Sequence, residues 1–400
     1  MTLTIAIVGA GIGGLAAAAA LSGAGHRVVV FDRFDAPAPV GSGLVIQPVG
    51  QAVLDGLSVG DTARRRGAKV HRMLGRDADS GRRVLDVSYD APGVPRYGLA
   101  MHRAALFDVL HDAATAAGAE IRPGHRVTAV EAGAVRFAAG PEGPGGQDGP
   151  FDLVVDASGA GSVLSPMRAR ALSYGALWAT VDWPDTTTLP YNELRQVYRR
   201  ADRMLGVLPV GHLPGGEARK CAIFWSLPAG AQDDWRAAGL QAWRAEASAL
   251  WPEYAPFAAQ ITDPAQMTMA RYSHGTLRRP WSDGGRLVHI GDAAHRASPQ
   301  LGQGANMALL DAWALARALE RAQGDVALAA RWYAQARRWH VRGYQGMSRL
   351  FTSQYQSDSR VLPLLRDRVL FPLSQVSPLP GVLTRLVCGD LLPPLGSLSN

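Results

Sequence analysis

The residues of this chain that could do chemistry fall into two glycine-rich segments set far apart. The first is Gly9-Ala10-Gly11-Ile12-Gly13-Gly14, with Asp32 eighteen residues beyond it. Gly9 permits a sharp strand-to-helix turn, Gly11 lets backbone amides approach a pyrophosphate, and Gly14 lets the helix lie close to the strand. The helix start adds partial positive charge toward phosphates, and Asp32 is placed to accept hydrogen bonds from ribose hydroxyls. The second segment is Gly291-Asp292-Ala293-Ala294-His295, followed by Pro299 and by Gly302-Gln303-Gly304-Ala305-Asn306. A glycine loop that runs into a helix offers backbone amides to a ligand edge carrying negative charge. Together the two segments suit a long, tightly held dinucleotide that is reactive at its far end.

Those loops need strands and helices to hold them. Thr4 to Val8 is a mostly apolar run, as expected of a strand buried on both faces of a parallel sheet. An Ala-rich helix over Leu15 to Leu21 follows, then a strand from Val28 to Phe31 that closes at Asp32, which makes a βαβ start. Arg103 to Ala117 has helical spacing, Phe151 to Val155 and Arg286 to Ile290 read as further strands of the same sheet, and Gly304 to Leu319 reads as a long helix. Val70 to Val94 reads as a β excursion. Ala176 to Val181, Leu205 to Val210 and Cys221 to Leu227 predict a second sheet that lies over the ligand as a lid. The Gly/Pro stretch Gly140 to Pro150 reads as an exposed hairpin loop, and the chain after Trp332 as amphipathic helices broken by Pro363, Pro372, Pro378 and Pro380. The predicted fold class is α/β. A Rossmann-like dinucleotide-binding domain comprises residues 1–70, 98–168 and 276–325, a mixed β-sheet substrate domain comprises 71–97 and 169–275, and a helical region comprises 326–400.

Composition narrows the function classes. Four hundred residues, 47% hydrophobic and 19% charged, describe an ordinary globular enzyme of more than one domain. The net charge of +7 is almost all arginine, since Lys69 and Lys220 are the only lysines. Its clusters, such as Arg64-Arg65-Arg66, are short, so no nucleic-acid partner is expected. Cys221 and Cys388 are the only cysteines and form no CxxC motif, so neither a disulfide framework nor a metal site is expected. The apolar stretch Ile5 to Ala24 lacks a basic leader and is interrupted by glycines. A cytoplasmic protein with no integral membrane segment, monomeric or homodimeric, is the expectation.

The combination of GxGxxG with Asp32, the segment His102-Arg103-Ala104-Ala105-Leu106, the strand end near Ser158, and Gly291-Asp292 leading to Gly302-Gln303-Gly304-Ala305-Asn306 resembles the single-component FAD-dependent aromatic hydroxylases, the para-hydroxybenzoate and salicylate hydroxylase-like monooxygenases. The resemblance covers about residues 1 to 320; Val361 to Gly389 more loosely resembles the tail of the ubiquinone-biosynthesis hydroxylases. It implies FAD as cofactor, with NAD(P)H as a transient co-substrate, O2, and a small aromatic substrate. The reduced flavin would react with O2 at C4a, and the hydroperoxide would hydroxylate an electron-rich ring. Carried over position by position, Gly9, Gly11, Gly14, Asp32, Arg33, Arg103, Val127 and Asp292 bind the cofactor, with Arg103 reaching its phosphates and Asp292 its ribityl and pyrophosphate region. Pro299, Gly302, Gln303, Gly304, Ala305 and Asn306 form the loop beside the isoalloxazine ring, where Gln303 and Asn306 offer polar groups. Where the family usually shows Gly-Ala-Asp-Gly, this chain reads Asp156-Ala157-Ser158-Gly159, so Ser158 replaces an aspartate associated with flavin and nicotinamide handling.

Gln47, Tyr97, Trp178, Trp225 and Pro299 are the candidate substrate-pocket residues. Gly41 and Gly43 are placed to let a loop approach the flavin, and His295 is expected to be hydrogen-bonded rather than to transfer protons. No substrate general base can be named from the sequence. The rival readings are a reductase or halogenase-like oxidoreductase on the same scaffold, and a non-catalytic flavin-binding regulatory protein.

Overall fold

The computed structural model describes residues 1–35, 43–90, 95–140 and 143–398; the expectation for Gly41, and those touching Val94, Pro141 and Glu142, lie outside these. A six-stranded sheet runs in the order Trp281–Ser282, Leu287–His289, Leu153–Asp156, Thr4–Val8, Arg27–Phe31 and Glu120–Arg122. Every pairing is parallel except that of the short edge strand Trp281–Ser282. Ile5, Ala6 and Ile7 are completely buried, as the continuous apolar run requires of a strand covered on both faces.

Register brings the carboxyl ends of the parallel strands level: Val8 stands opposite both Phe31 and Asp156, and Asp156 opposite His289. The loops beginning at Gly9, Asp32, Ala157 and Gly291 therefore emerge from one edge of the sheet. Order reverses there, with the second strand on one side of the first and Leu153–Asp156 on the other, which opens a crevice for a ligand.

Helix Ile12–Gly23 packs against helices Arg103–Ala116 and Gly304–Arg321. Its run Ala16 to Ala19 is buried, and small side chains let the axes come close: a Cβ added at Gly13 would lie 3.2 Å from that of Ala308.

An eight-stranded sheet forms the second layer, in the order His295–Arg296, Thr268–Thr276, Arg170–Asp182, Lys220–Pro228, Arg203–Gly211, Glu193–Arg199, Arg72–Asp77 and Arg83–Ser88. One feature was not foreseen in the sequence. Helix Gln232–Leu250, bent at Gly239, backs this sheet and builds a core with Trp243, Tyr254, Phe257 and the strand residues Leu177, Ile223 and Trp225. Alternation along the strands then decides which aromatic faces which way. Trp225 pairs with Leu177 and Leu205 toward the helix, whereas Trp178 pairs with Phe224 on the opposite face.

Helix Val326–Tyr355 runs unbroken for 30 residues, its start capped by the Asp325 carboxylate, which accepts from the Leu328 amide at 2.9 Å. The expected breaks at Pro363, Pro372 and Pro380 do not occur: Val361–Leu365, the π turn Arg366–Leu370 and Phe371–Ser374 follow one another without interruption, Pro380 sits in the first turn of Leu379–Cys388, where its missing amide costs nothing, and only Pro378 stands between two elements.

A buried polar network joins these pieces. Asp311, fully buried on helix Gly304–Arg321, accepts from the Gly291 amide (2.9 Å) and from Arg337 Nε (2.8 Å), and its carboxylate lies 2.6 Å from His295 Nε2. Arg337 also donates to the Pro394 carbonyl, and His340 Nε2 lies 2.9 Å from the Gly389 carbonyl. Burial alone would raise the pKa of Asp311, but the His295 and Arg337 charges and hydrogen bonds outweigh it and hold the carboxyl well below the usual range.

Two predictions follow from this network. Asp311→Asn leaves Arg337 buried without its counter-charge, and is expected to cost about 3 to 5 kcal/mol in chemical denaturation; a loss under about 1 kcal/mol would assign the stability elsewhere. For His340, burial and then the Arg337 cation lower the pKa to about 3, whereas an unfolded imidazole titrates near about 6.5. The unfolded chain thus takes up a proton that the fold refuses. The stability this group contributes is intact above about pH 6.5 and is lost as pH falls toward 3. The unfolding free energy of His340→Gln should fall less steeply across that window than that of the parent, measured by denaturation at successive pH values.

Candidate flavin and substrate site

The first strand ends where its glycines can do something no other residue could. Gly9 has φ +102°, and a Cβ there would come within 2.8 Å of the Ala157 carbonyl oxygen and Ser158 Cα. A Cβ at Gly14 would overlap the Gly9 carbonyl oxygen. Both glycines are demanded by the protein itself. Gly11 differs, because a Cβ there would meet nothing within 4 Å, and the same holds for Gly304. These two positions edge space that the protein leaves open, as a cradle for a closely approaching ligand must.

Asp32 holds the first loop in place: its carboxylate accepts from the Ala10 amide at 2.6 Å and the Phe34 amide at 2.9 Å, one bond on each oxygen. Each oxygen keeps a further acceptor site for a ribose hydroxyl. Arg33 is exposed beside it, stacked 4.8 Å from the Phe34 ring. Val127 turns its side chain into the core with Phe31 and Phe151, so only its backbone can meet a ligand.

At the neighbouring strand end, Asp156 is fully buried and accepts from Ser158 Oγ (2.5 Å), Ser162 Oγ (2.6 Å) and the Ser158 amide (3.1 Å), with His289 Nδ1 at 2.8 Å. Burial acts to raise its pKa, yet the bonds from His289, Ser158 and Ser162 prevail and lower it. Ser158 is thereby turned inward to fasten this turn.

Beyond Gly291, whose φ is +56°, the eight-stranded sheet, strand Gly43–Ile46, the stretch from Asp292 to Ala305 and the C-terminal elements surround a cavity of about 790 Å3. Arg103 and Asp292 line it, with Pro299, Gly302, Gly304 and Ala305. Asp292 stands open to the cleft at its floor; the protein packed around the carboxyl raises its pKa, an effect opposed by the charges of His295, Arg103 and Arg296. Helix Gly304–Arg321 begins without a side-chain cap, and its first helical bond is donated by Met307. The amides of Gly304, Ala305 and Asn306 therefore precede the helical ladder and carry the positive end of its dipole.

The side chains of Asn306 and Gln303, expected at the ligand edge, are spent elsewhere. Asn306 is completely buried; its Oδ1 accepts from the Gln47 amide (2.8 Å), and its Nδ2 donates to the carbonyls of Val45 (3.0 Å) and Gly302 (2.9 Å). Gln303 donates to the Val387 carbonyl at 3.1 Å. The motif's amides line the approach, while its polar side chains clamp strand Gly43–Ile46 and the C-terminal helix around it. His295 is likewise engaged, with Asp311.

Of the expected substrate-pocket residues, Gln47, Trp178 and Pro299 line the cavity, and Trp178 Nε1 donates to the Tyr272 hydroxyl at 2.9 Å. Trp225 and Tyr97 do not. Trp225 lies on the other face of its sheet, under the unforeseen helix. Tyr97 packs on the main core beneath the Lys69 ammonium, 4.9 Å from its ring. Sequence reasoning did not single out Tyr272, one face-alternation step from Ala270, which also lines the cavity. Burial pushes the Tyr272 phenol up to about 12, so it is a hydroxyl at neutral pH and not a base. No histidine is found among the described residues that line the cavity.

Residues 2–339 match the family described as FAD binding domain, and the chain belongs to that family. Relatives include an FAD-dependent urate hydroxylase of Klebsiella pneumoniae, 28% identical over 84% of this chain and 86% of its own length. A putative 2-heptyl-3-hydroxy-4(1H)-quinolone synthase of Rhodococcus erythropolis is 30% identical, covering 79% of each. The crystal structure of Klebsiella pneumoniae HpxO complexed with FAD and uric acid shares the fold with a TM-score of 0.78 at 23% identity, over 99% of this chain and 98% of that one. The cofactor is FAD, and the open space at Gly11 and Gly304, the uncapped helix start and the Asp292 carboxylate fit it.

The glycines make a paired prediction. Gly11→Ala should change the stability of the FAD-free protein by less than about 1 kcal/mol, yet weaken FAD binding at least about tenfold, because its methyl enters the open cradle. Gly14→Ala should fail to fold stably, since its methyl meets backbone. Asp292→Ala, which removes a carboxylate with no hydrogen bond of its own among the described residues, should release FAD on dialysis while leaving the thermal midpoint of the FAD-free protein unchanged; unaltered retention would leave that carboxylate without a ligand role.

Proposed function

We propose that this protein is an FAD-dependent monooxygenase that uses NAD(P)H and O2 to hydroxylate an aromatic ring. The ring is held between the eight-stranded sheet and the Pro299–Gly304 loop. The observation that carries this reading is the meeting, in one cavity, of an apolar sheet face bearing Trp178 and Phe224 with the uncapped helix start at Gly304 and the Arg103 and Asp292 pair. FAD supplies the redox and oxygen-activating chemistry. The chain's part is to bind, orient and exclude water.

The assignments divide along the cleft. Gly9, Gly11, Gly14, Asp32 and Arg33 take the adenosine and pyrophosphate half, with Arg103 and Asp292 nearer its middle. The amides of Gly304, Ala305 and Asn306 face the ring edge where reduction leaves negative charge, and stabilise it electrostatically. Apolar walls keep water out, which protects a reactive oxygen donor from being wasted. Tyr272, with its proton held on, orients the ring by donating to a substrate oxygen. We read the protein as a monomer or homodimer working in the cytoplasm.

The test is to purify the protein, record its flavin spectrum, and follow NAD(P)H oxidation and O2 uptake with phenols and heteroaromatic rings under labelled O2. Stimulated oxidation with one labelled oxygen atom in the product is the expected outcome. Substrate turnover without O2 uptake would make the protein a reductase, and a colourless protein that binds no added FAD would remove the reading altogether.

A further inference from the structure

Taking the cavity as the substrate site, we infer that the substrate is an uncharged amphiphile, an aromatic ring bearing an aliphatic chain, with the chain lying beneath the C-terminal segment Val361–Cys388. The cavity does not end at the ring position. Besides Trp178 and Tyr272, the same cavity is lined by Val84, Met204, Phe224, Phe351 and Leu383. Leu370 and Leu373 also line it and are 37% and 52% exposed, so its lining extends to the protein surface. A cleft that held only a small ring would have no use for this much further apolar lining. The C-terminal helices that line it leave apolar side chains at the rim, where a flexible chain can enter.

Charge argues for neutrality. Among the described residues lining the cavity, the cations are Arg103 and Arg366. Arg103 acts on Asp292, at the cofactor end. Arg366 is 2% exposed, pairs with Asp367 through Nε and Nη2 (2.6 and 3.2 Å), and donates through Nη1 to the carbonyls of Arg200 (3.1 Å) and Gln354 (3.0 Å). Its guanidinium lies over both Tyr198 and Tyr355, 5.2 and 4.9 Å from the ring centres. The lining carboxylate Asp86 is likewise engaged by Arg72 and Arg83. A carboxylated ring would be desolvated here with no cation to receive it.

The uncommitted polar groups point the same way. Gln47 Oε1 and Gln300 Nε2, both on cavity-lining residues, are buried and lack partners. One acceptor and one donor beside the ring position match a neutral ring that carries both, such as a phenol, whose hydroxyl does either.

The experiment measures binding of 4-ethylphenol, 4-butylphenol, 4-heptylphenol and 4-hydroxybenzoate to the FAD-loaded protein, by flavin absorbance perturbation and by calorimetry. The dissociation constant should fall roughly fourfold for each methylene that enters the cavity, and 4-hydroxybenzoate should bind more weakly than 4-ethylphenol by at least about tenfold. Leu373→Asp places a charge at the half-exposed rim and should shrink the heptyl-to-ethyl affinity ratio by at least about tenfold. Affinity that does not change with chain length, or that is highest for the carboxylated ring, overturns the inference. If short or carboxylated rings are hydroxylated efficiently with no chain-length effect, the inference fails and the monooxygenase reading stands. Chain-dependent binding with no labelled oxygen in any product sustains the substrate class and removes that reading instead.

Discussion

One buried carboxylate holds the working parts of this molecule in register. Asp311 has no solvent to stabilise its charge, so its acceptor sites must be filled from within, and the donors come from both ends of the segment Gly291–His295 and from Arg337 on another helix. Gly291 begins the turn that carries Asp292 into the cleft, His295 starts a strand of the second sheet, and Arg337 belongs to the long helix that supports the C-terminal elements. A charge in a low-dielectric interior is expensive to leave unpaired. The helix bearing Asp311 therefore cannot shift without dragging the floor of the cleft with it, and the uncapped start of that helix is the edge at which we propose the flavin ring is stabilised.

A second economy follows from the glycine-rich loops. Backbone amides can point at a ligand only if nothing else uses them and no side chain intervenes. The structure meets the first condition at Gly304, Ala305 and Asn306 by starting a helix without a cap, and the second at Gly11 and Gly304 by leaving the space beside Cα open. The side chains of the same motif do the opposite work. Asn306 and Gln303 reach back into the protein and bind strand Gly43–Ile46 and the C-terminal helix, so that the amides are presented by a rigid support.

Much of this was legible in the residues. The run Thr4 to Val8, the glycines after it and Asp32 carry a local code, because a strand, a tight turn and a helix start are each decided by neighbours in sequence. The same is true of the helix from Arg103, which ends one residue short of the expected bound, and of the strands around Leu205 and Cys221, which extend theirs by a residue or two. The failures share one cause. Trp178 and Trp225 are indistinguishable as tryptophans in apolar strands, and which of them sees the cavity depends on a helix that the sequence disguises: Gln232–Leu250 mixes charged and apolar residues and has Gly239 in its middle. Asn306 looked like a ligand for the ring edge because polar residues in a glycine-rich loop usually face outward. It turns inward because two carbonyls and the Gln47 amide, distant in sequence, need partners there.

By itself, the sequence determined the class of fold and the binding of a long dinucleotide, since these rest on short motifs whose geometry is set by φ angles, helix ends and strand periodicity, and the combination of motifs resembles a family whose cofactor is FAD. It also settled that the strands of the first sheet are buried on both faces, which continuous apolar runs require. Tertiary structure alone decided which side chains meet in the cavity, that Ser158 is committed to Asp156, and that the cavity lining extends to Leu370 and Leu373. The reason is physical. Facing in a sheet alternates every residue and changes with what packs behind it, and the direction of a buried polar side chain is set by unpaired groups brought near only when the chain is folded.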